Sequence, residues 1–269
     1  MFTEFYSAPE ILSPIIRRYN IQELDVNSNE IIFPALTQNF IIFQYGDIYD
    51  IKTRDSNIIK GYRVMVNGCI TSPFRFIQNK FKIRCIVVEL QPAAFYRLFG
   101  TTIKHPVNSS YDVQKLLPDS SDILNALIEL STHEKRIKLL NDYFRNLLKD
   151  HDQSNDNNIG HMMHLINEFD KGMTIEELID NKLSTRHFRR LFKRVFGIAP
   201  KLYIRILRLE RVLSDFHHDI DLDYLSKIYC FSDQSHFIRE CRKFTGRTPR
   251  QILKDFQDIH NRNLHNNLA

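Results

Sequence analysis

The sequence lacks the features of membrane-spanning and of secreted, disulfide-bonded proteins. No run approaches the ~20 consecutive apolar residues that a membrane helix needs, and the opening segment MFTEFYSAPE lacks the basic-then-apolar layout of a signal peptide. Four cysteines occur in 269 residues, none in CxxC spacing, so we expect buried reduced thiols at Cys69, Cys85, Cys230 and Cys241. These absences favour a cytoplasmic protein.

Motifs of enzymatic chemistry are also missing. The chain contains no GxSxG, phosphate-binding loop, glycine-rich dinucleotide fingerprint or HExxH. The N-terminal half offers only His105, His133 and His151, without the closely spaced histidine pair of a metal-dependent cupin. The segment HMMH at 161–164 has the i, i+3 spacing of a helical metal pair, but no Cys or carboxylate partner is evident, which favours solvated imidazoles at a helix start. We therefore expect no enzymatic activity, no metal site and no cofactor.

Charge divides the chain into two unlike parts. Residues 1–158 contain 18 basic and 18 acidic side chains, whereas residues 159–269 contain 19 basic and 14 acidic ones, so the whole net charge of +5 lies in the second part. The polar stretch DHDQSNDNN at 150–158 separates them and is typical of an interdomain linker. The predicted organisation is a domain over 1–149, a linker over 150–159, a second domain over 160–258 and a polar tail over 259–269.

The first part has the pattern of a β-rich domain. Runs of β-branched and aromatic residues, such as YRVMVNGCI and FKIRCIVVEL, are interrupted by proline, glycine and the Asn67-Gly68 pair, which suits a tight hairpin. A short helix is predicted over 91–100, and apolar residues at helical spacing predict two more helices over 121–148. We expect a β-barrel or sandwich with appended helices, and hence a two-domain α+β chain.

The second part contains an internal repeat with an offset of 49 residues. STRHFRRLFKRVFGIAP at 184–200 aligns with DQSHFIRECRKFTGRTP at 233–249, with matching His, Phe, Arg, Gly and Pro positions. Each copy begins at a helix N-cap, Ser184 or Asp233, ends at a glycine that permits a left-handed turn, and follows a shorter amphipathic helix. The repeat predicts an all-α domain of two helix-turn-helix units joined by a long helix over 201–216.

The predicted helix in each copy of the repeat has an apolar face on one side and a polar, basic face on the other. One basic helix is usually a solvated surface, but two equivalent helices in helix-turn-helix context favour contact with a DNA duplex. Cations bind phosphates by releasing counterions, while side chains such as Arg, Gln and Ser can read base edges. The predicted DNA-contacting residues are Arg186, Arg189, Arg190 and Lys193 in helix 184–196, and Gln234, Ser235, His236, Arg239 and Arg242 in helix 233–244.

The helix over 201–216 has a length that suits a rigid spacer between the two units. About 16 residues of helix span ~24 Å, which could hold the two recognition helices about one DNA turn, ~34 Å, apart. We therefore predict a sequence-specific transcription regulator that reads two successive major-groove segments of double-stranded DNA.

These motifs resemble the DNA-binding domain of the AraC/XylS-type bacterial transcriptional regulators. The resemblance covers about residues 160–256, and FSDQSHFIRECRKFTGRTPRQI resembles the family signature of the second unit, supported by RLER in the linker helix. It implies two helix-turn-helix units joined by a linker helix, with DNA as partner. The base-reading positions that it implies are Arg186, Arg189 and Arg190 in the first unit, and Gln234, Ser235, His236 and Arg239 in the second.

Three departures from the family pattern fall on the turns and first helices of the units. Lys182 in the first unit and Cys230 in the second stand where the family usually has a turn glycine, and neither residue type favours a turn. The first unit is one residue short before Ser184, and the usual alanine of each first helix is Ile179 or Ser226. Whether the first recognition helix reads bases or contacts only phosphates therefore stays open.

The N-terminal half resembles the cupin-like domain of a subgroup of these regulators, at FPALTQNFIIFQYG, VNGCITSP and VVELQPAAFYRLFG. The resemblance implies a sensing or dimerisation domain, with a homodimer formed through this domain, a small-molecule effector and a contact with RNA polymerase as candidate partners. Two alternative functions stay open at this point. One is a nonspecific or architectural DNA-binding protein, and the other is a cupin-like enzyme with a DNA-binding tail.

Overall fold

The computed structural model describes residues 2–28, 32–99, 106–117, 119–151, 162, 185–216 and 220–254. The strands are β1 (Phe2–Ser7), β2 (Ile16–Val26), β3 (Phe40–Gln44), β4 (Ile51–Thr53), β5 (Ile58–Ile59), β6 (Val64–Asn67), β7 (Phe74–Phe76), β8 (Phe81–Leu90) and β9 (Ser110–Asp112). The helices are α1 (Ala94–Phe99), α2 (Ser120–Glu129), α3 (His133–His151), α4 (Thr185–Phe196), α5 (Pro200–Ser214), α6 (Leu222–Ile228) and α7 (Gln234–Thr245).

Two antiparallel sheets form the N-terminal domain. The larger sheet has the strand order β1-β2-β8-β3-β6-β9, and the smaller one has the order β5-β4-β7. The long strands β2 and β8 pair from Ile16 opposite Leu90 to Val26 opposite Phe81. Because β8 is apolar on both of its faces, the sheet needs cover on both sides.

The larger sheet is covered on one side by the smaller sheet and on the other by helices. Ile42 and Val87 point into the cluster shared with the smaller sheet, whereas the adjacent Ile86 points into a second cluster with Phe95 of α1 and Phe144 of α3. Alternation along each strand therefore sends neighbouring apolar residues into two separate cores. The predicted class, a β-rich domain with appended helices followed by a helical domain, is confirmed.

Two local expectations about the N-terminal domain were wrong. The Asn67-Gly68 pair does not form a hairpin turn, because β6 ends at Asn67 and pairs with β3 and β9. Gly68 instead allows a close backbone approach, since a Cβ at this position would overlap the carbonyl oxygen of Pro106. The helix predicted over 91–100 is shorter, because Ala93 has a φ of 66° and α1 begins only at the next residue.

The predicted linker is partly helical, because α3 continues to His151. Several sequence-based expectations lie outside the described residues. They concern the rest of the linker, the HMMH segment apart from Met162, the first helix of the first unit with Ile179, Lys182 and Ser184, and the tail.

The helices α4 to α7 share one apolar core, which continues into the N-terminal domain. Phe192 of α4, Ile206 of α5, Leu225 of α6 and Phe237 of α7 belong to it. Four residues from the N-terminal side join the same cluster, namely Ala35, Cys69, Ala93 and Tyr96. The two domains are therefore packed against each other. Within the described part of the chain, no helix is both long and apolar enough to cross a membrane.

Candidate nucleic-acid interface

The second recognition helix, α7, has well-defined ends. The Asp233 side chain accepts a hydrogen bond of 2.6 Å from the backbone N–H of His236, and this bond lowers the pKa of the carboxyl below its ordinary value. The helix ends at Gly246, whose φ of 75° lies in the left-handed region. Both cap residues expected from the sequence are confirmed. The two caps fix where α7 begins and ends, and therefore which side chains face outwards.

One side of α7 is buried and the other is exposed. Phe237, Cys241 and Phe244 are buried in the helical core, as the helical projection predicts. The predicted contact residues lie on the opposite side, where Gln234, Ser235, Arg239 and Arg242 are exposed and His236 is half-buried. The outer face of α7 thus presents guanidinium, amide and hydroxyl groups together.

Two of these side chains already have partners within the domain. Gln234 donates a hydrogen bond of 3.0 Å from Nε2 to the carboxylate of Asp223 in α6. The His236 ring lies edge-on to Phe231, at 5.5 Å between centroids, and its Nδ1 is 3.1 Å from Ser232 Oγ. His236 therefore also holds the turn that precedes α7, a role that the sequence did not indicate.

The first recognition helix, α4, is more basic and chemically simpler. It buries Phe188, Leu191, Phe192 and Val195, and it ends at Gly197 with a φ of 81°. Its sequence contains no carboxylate. The four residues predicted to contact DNA, Arg186, Arg189, Arg190 and Lys193, are all exposed. Arg194 turns instead towards the N-terminal domain, where its guanidinium lies 6.0 Å from the centre of the Tyr96 ring.

A partly buried ion pair joins α7 to the linker helix α5. Arg205 donates hydrogen bonds of 2.8 and 2.6 Å to the two carboxylate oxygens of Glu240, which is 6% exposed. Burial alone would raise the pKa of Glu240, but the hydrogen bonds and charge of Arg205 bring it below its ordinary value. Sequence reasoning missed this pair, although a glutamate on the apolar side of α7 was a sign that a cation must face it.

The turn of the second helix-turn-helix unit contains a strained residue. Cys230 has a φ of 54°, in the region where glycine is favoured, and its thiol is exposed. The expectation of a buried thiol was therefore wrong at this position, because the turn directs the residue outwards, whereas Cys69, Cys85 and Cys241 are buried and free. Ser226, which stands at the usual alanine position, is buried and donates a 2.9 Å hydrogen bond to the Asp223 carbonyl.

The N-terminal domain makes direct contacts with the end of α7. The Ala35 backbone N–H donates a 2.7 Å hydrogen bond to the carbonyl of Phe244, and Arg54 donates one of 3.1 Å to the carbonyl of Arg242. Carbonyls in the last turn of a helix lack partners within that helix. Donors from the other domain therefore complete the C-terminal end of the second recognition helix.

A second interdomain contact joins Thr37 to Glu210 of the linker helix. The backbone N–H and the hydroxyl of Thr37 donate one hydrogen bond of 2.6 Å each to the two carboxylate oxygens. Burial nevertheless raises the pKa of Glu210 to about 7, and these hydrogen bonds and the nearby charge of Arg17 offset the effect only in part. The contact holds α5 against the segment before β3.

Among the described residues, no group of three or more His, Cys, Asp or Glu side chains is arranged to hold a metal ion. The site is therefore a surface of two exposed helix faces, and the side chains on it are suited to binding a polyanion.

The helices α6 and α7 form one helix-turn-helix unit, and α4 is the counterpart of α7 in the first copy of the repeat. This arrangement is typical of helix-turn-helix DNA-binding proteins. Residues 181–255 match the family model described as "Helix-turn-helix domain". The chain therefore carries a helix-turn-helix domain over these residues, which supports a role as a DNA-binding transcription regulator. A comparison with curated protein sequences gives no match.

Several solved structures of ToxT from Vibrio cholerae are similar in fold. The structure of apo ToxT carrying one substitution, from strain SCE256, has 8% sequence identity and a TM-score of 0.48, covering 93% of this chain and 100% of that one. A crystal form of ToxT at 9% identity has a TM-score of 0.49 and covers 87% and 97%. Wild-type ToxT bound to an unsaturated fatty acid, at 10% identity, has a TM-score of 0.46 and covers 87% and 94%.

Proposed function

We propose that the chain binds specific sites in double-stranded DNA and reads two successive major-groove segments, one with α4 and one with α7. The observation that carries the proposal is the pair of exposed faces on two helices whose opposite faces share one core with α5. A shared core fixes the angle between the two helices, as simultaneous docking in two grooves requires. The residues proposed to contact DNA are Arg186, Arg189, Arg190, Lys193, Gln234, Ser235, His236, Arg239 and Arg242.

The two helices have different roles in this proposal. The cationic face of α4 supplies most of the phosphate binding and the salt dependence, and its arginines can pair with guanine. The mixed face of α7 supplies most of the base discrimination, because Gln234 and Arg239 offer directional hydrogen bonds. Gln234 would then exchange its bond to Asp223 for a base edge when DNA binds.

The spacing of the helices supports two grooves on one side of the duplex. The linker helix α5 contains 15 residues, which corresponds to about 22 Å. With the width of the flanking recognition helices, this length is compatible with one turn of DNA, ~34 Å. In a bacterial cell this function implies a cytoplasmic protein. The proposed homodimer through the N-terminal domain and the contact with RNA polymerase rest on the family resemblance alone.

Selection of bound fragments from a randomised DNA pool by the full-length protein tests this function. We expect an enriched site with two parts about 10 base pairs apart, corresponding to two major-groove segments. Random genomic fragments should bind at least 10³-fold more weakly at physiological salt. Equal binding of all fragments would contradict the proposal and favour an architectural DNA-binding protein, for which no feature of the described residues argues specifically.

A further inference from the structure

The outer face of the smaller sheet carries a short row of cations. Lys52 of β4 lies directly opposite Arg75 of β7. The backbone N–H of Arg54 donates a 2.7 Å hydrogen bond to the Pro73 carbonyl, which continues the same ladder past the end of β4. Because side chains alternate along a strand, Lys52 and Arg54 share one face. Arg54 and Arg75 are exposed and Lys52 is half-buried, and we call these three residues the basic face.

The arrangement of Lys52 and Arg75 is unfavourable for the isolated protein. Like charges directly opposite each other on one face of an antiparallel pair repel. Among the described residues neither side chain forms an ion pair, and Asp50, two residues before Lys52, is already paired at 2.6 Å with Lys60. The turn after the basic face contains an exposed carboxylate, Asp55, so the local excess of charge remains positive. A repulsive pair of this kind favours an anionic partner over contact with water alone.

The basic face adjoins the second recognition helix. Arg54 donates a hydrogen bond of 3.1 Å from Nη1 to the carbonyl of Arg242, in the last turn of α7. A Cβ added at Gly246 would lie 3.7 Å from the side chain of Pro73, which is the neighbour of Arg54 in the ladder. Arg242 and Lys243 of α7 are themselves exposed. The cations of the two domains therefore form one continuous surface.

The contact lies at the end of the side of α7 that is proposed to face DNA. Ser235, Arg239, Arg242 and Gly246 follow one another at spacings of three or four residues, and so lie along one side of the helix. The N-terminal domain meets α7 at Gly246, the last member of this row. A duplex that lies along the row would thus continue towards the basic face.

We propose that the basic face binds the phosphate backbone of the same DNA duplex, next to the segment that α7 reads. The proposal rests on the function proposed above and extends the DNA-binding surface from the helical domain to the N-terminal one. Lys52, Arg54 and Arg75 continue the cations of α7 as an extended row, which suits the successive phosphates of a DNA strand. Contacts with phosphates carry no base information, so the basic face adds affinity and orientation without changing the preferred sequence.

Two duplexes test the proposal with the full-length protein. Both contain the selected site, but one ends at the segment whose recognition depends on Arg239 and the other continues for about 10 base pairs, one turn of DNA. Lys52→Gln combined with Arg75→Gln should weaken binding to the longer duplex by about three- to tenfold and reduce the slope of log affinity against log salt by about 1–2. The shorter duplex should bind the double variant and the unchanged protein equally. Equal slopes for the two proteins on the longer duplex overturn the proposal.

Charge reversal separates DNA contact from damage to the fold. Arg75→Glu places a carboxylate opposite Lys52, so the repulsive pair becomes an attractive one. We expect a higher Tm together with weaker binding to the longer duplex than Arg75→Gln gives. Lys82→Gln is the matched control, because Lys82 is an exposed cation on β8, on the side away from the smaller sheet. An equal loss of affinity in the control would indicate a general effect of charge and would overturn the proposal.

The two proposals fail in different ways. Absence of any preferred site in the randomised pool contradicts sequence-specific reading, and the salt slope of the double variant on a random duplex then still tests the basic face. A preferred site that the double variant binds with an unchanged salt slope overturns the role of the basic face alone.

Discussion

Arg205 on the linker helix clamps Glu240 on the second recognition helix through two hydrogen bonds, of 2.8 and 2.6 Å. A planar guanidinium that meets both oxygens of a carboxylate fixes direction as well as distance. Glu240, the neighbour of Arg239 in the chain, is therefore anchored on the inner side of α7. This anchor fixes the direction in which the Arg239 side chain points from the helix. The ion pair thus connects the core with the surface proposed to read bases.

Removal of one partner from this pair should destabilise the protein. Glu240→Ala leaves the Arg205 guanidinium, whose side chain is 30% exposed, without its anion, so we expect a loss of about 2–3 kcal/mol in the free energy of unfolding. Urea denaturation of the variant and the unchanged protein measures this difference in the free energy of unfolding. Asp25→Ala is the matched control, because the ion pair of Asp25 with Arg84 is more exposed and should contribute less than about 1 kcal/mol. Equal losses in the two variants would contradict a structural role for the clamp.

Substitutions on the two recognition helices should differ in kind. Arg239→Ala should relax discrimination at particular base pairs by about 1–3 kcal/mol, and Gln234→Ala should act similarly. Lys193→Ala should weaken binding to all sequences and reduce the slope of log affinity against log salt by about 1. Affinities for the selected site and its point variants at several salt concentrations measure both effects. Equal, sequence-independent losses in all three variants would contradict base reading by α7.

The burial of Glu210 at the interdomain contact should make stability depend on pH. The pKa of Glu210 is raised from 4.5 to about 7 in the folded protein, so the folded state binds this proton more tightly than the unfolded state. The free energy of unfolding should therefore fall as the pH rises from about 4.5 to 7, by up to about 3 kcal/mol. Glu210→Gln should flatten this part of the profile. Glu10→Gln, at an exposed position, is the control, and identical profiles for the two variants would contradict the assignment.

Cys230→Gly should stabilise the turn of the second unit. A residue with a side chain at a φ of 54° is strained by about 1–2 kcal/mol, and glycine removes this strain at the expense of some chain entropy in the unfolded state. We expect a net gain of about 0.5–1 kcal/mol and a higher Tm in a thermal scan. Cys230→Ala keeps the Cβ and should show no such gain, so a comparable rise in that variant would point to the thiol instead of the backbone.

Local features of this chain could be predicted from its sequence. The faces of α4 and α7 follow from helical periodicity, and the capping by Asp233 and the turn at Gly246 follow from residue types that favour those positions. The bounds of these helices differ from the prediction by one residue. Each of these features depends on residues that are close in the sequence.

Long-range contacts could not be predicted in the same way. Thr37 and Glu210 are 173 residues apart, and nothing in either local pattern identifies the other as its partner. Gly68 stands in a dipeptide that favours a hairpin, but the approach of Pro106 decides its role. Periodicity shows which side of an element is buried, whereas the identity of the covering group depends on how the domains pack.

The last turn of α7 takes one of its hydrogen-bond donors from Ala35. A C-terminal fragment separated from the first domain would lose that donor, and its second recognition helix would fray from this end. DNA affinities measured on such a fragment would then include the ordering of the helix as well as its contacts. The N-terminal domain is in this sense a structural part of the DNA-binding surface, even where it touches no nucleotide.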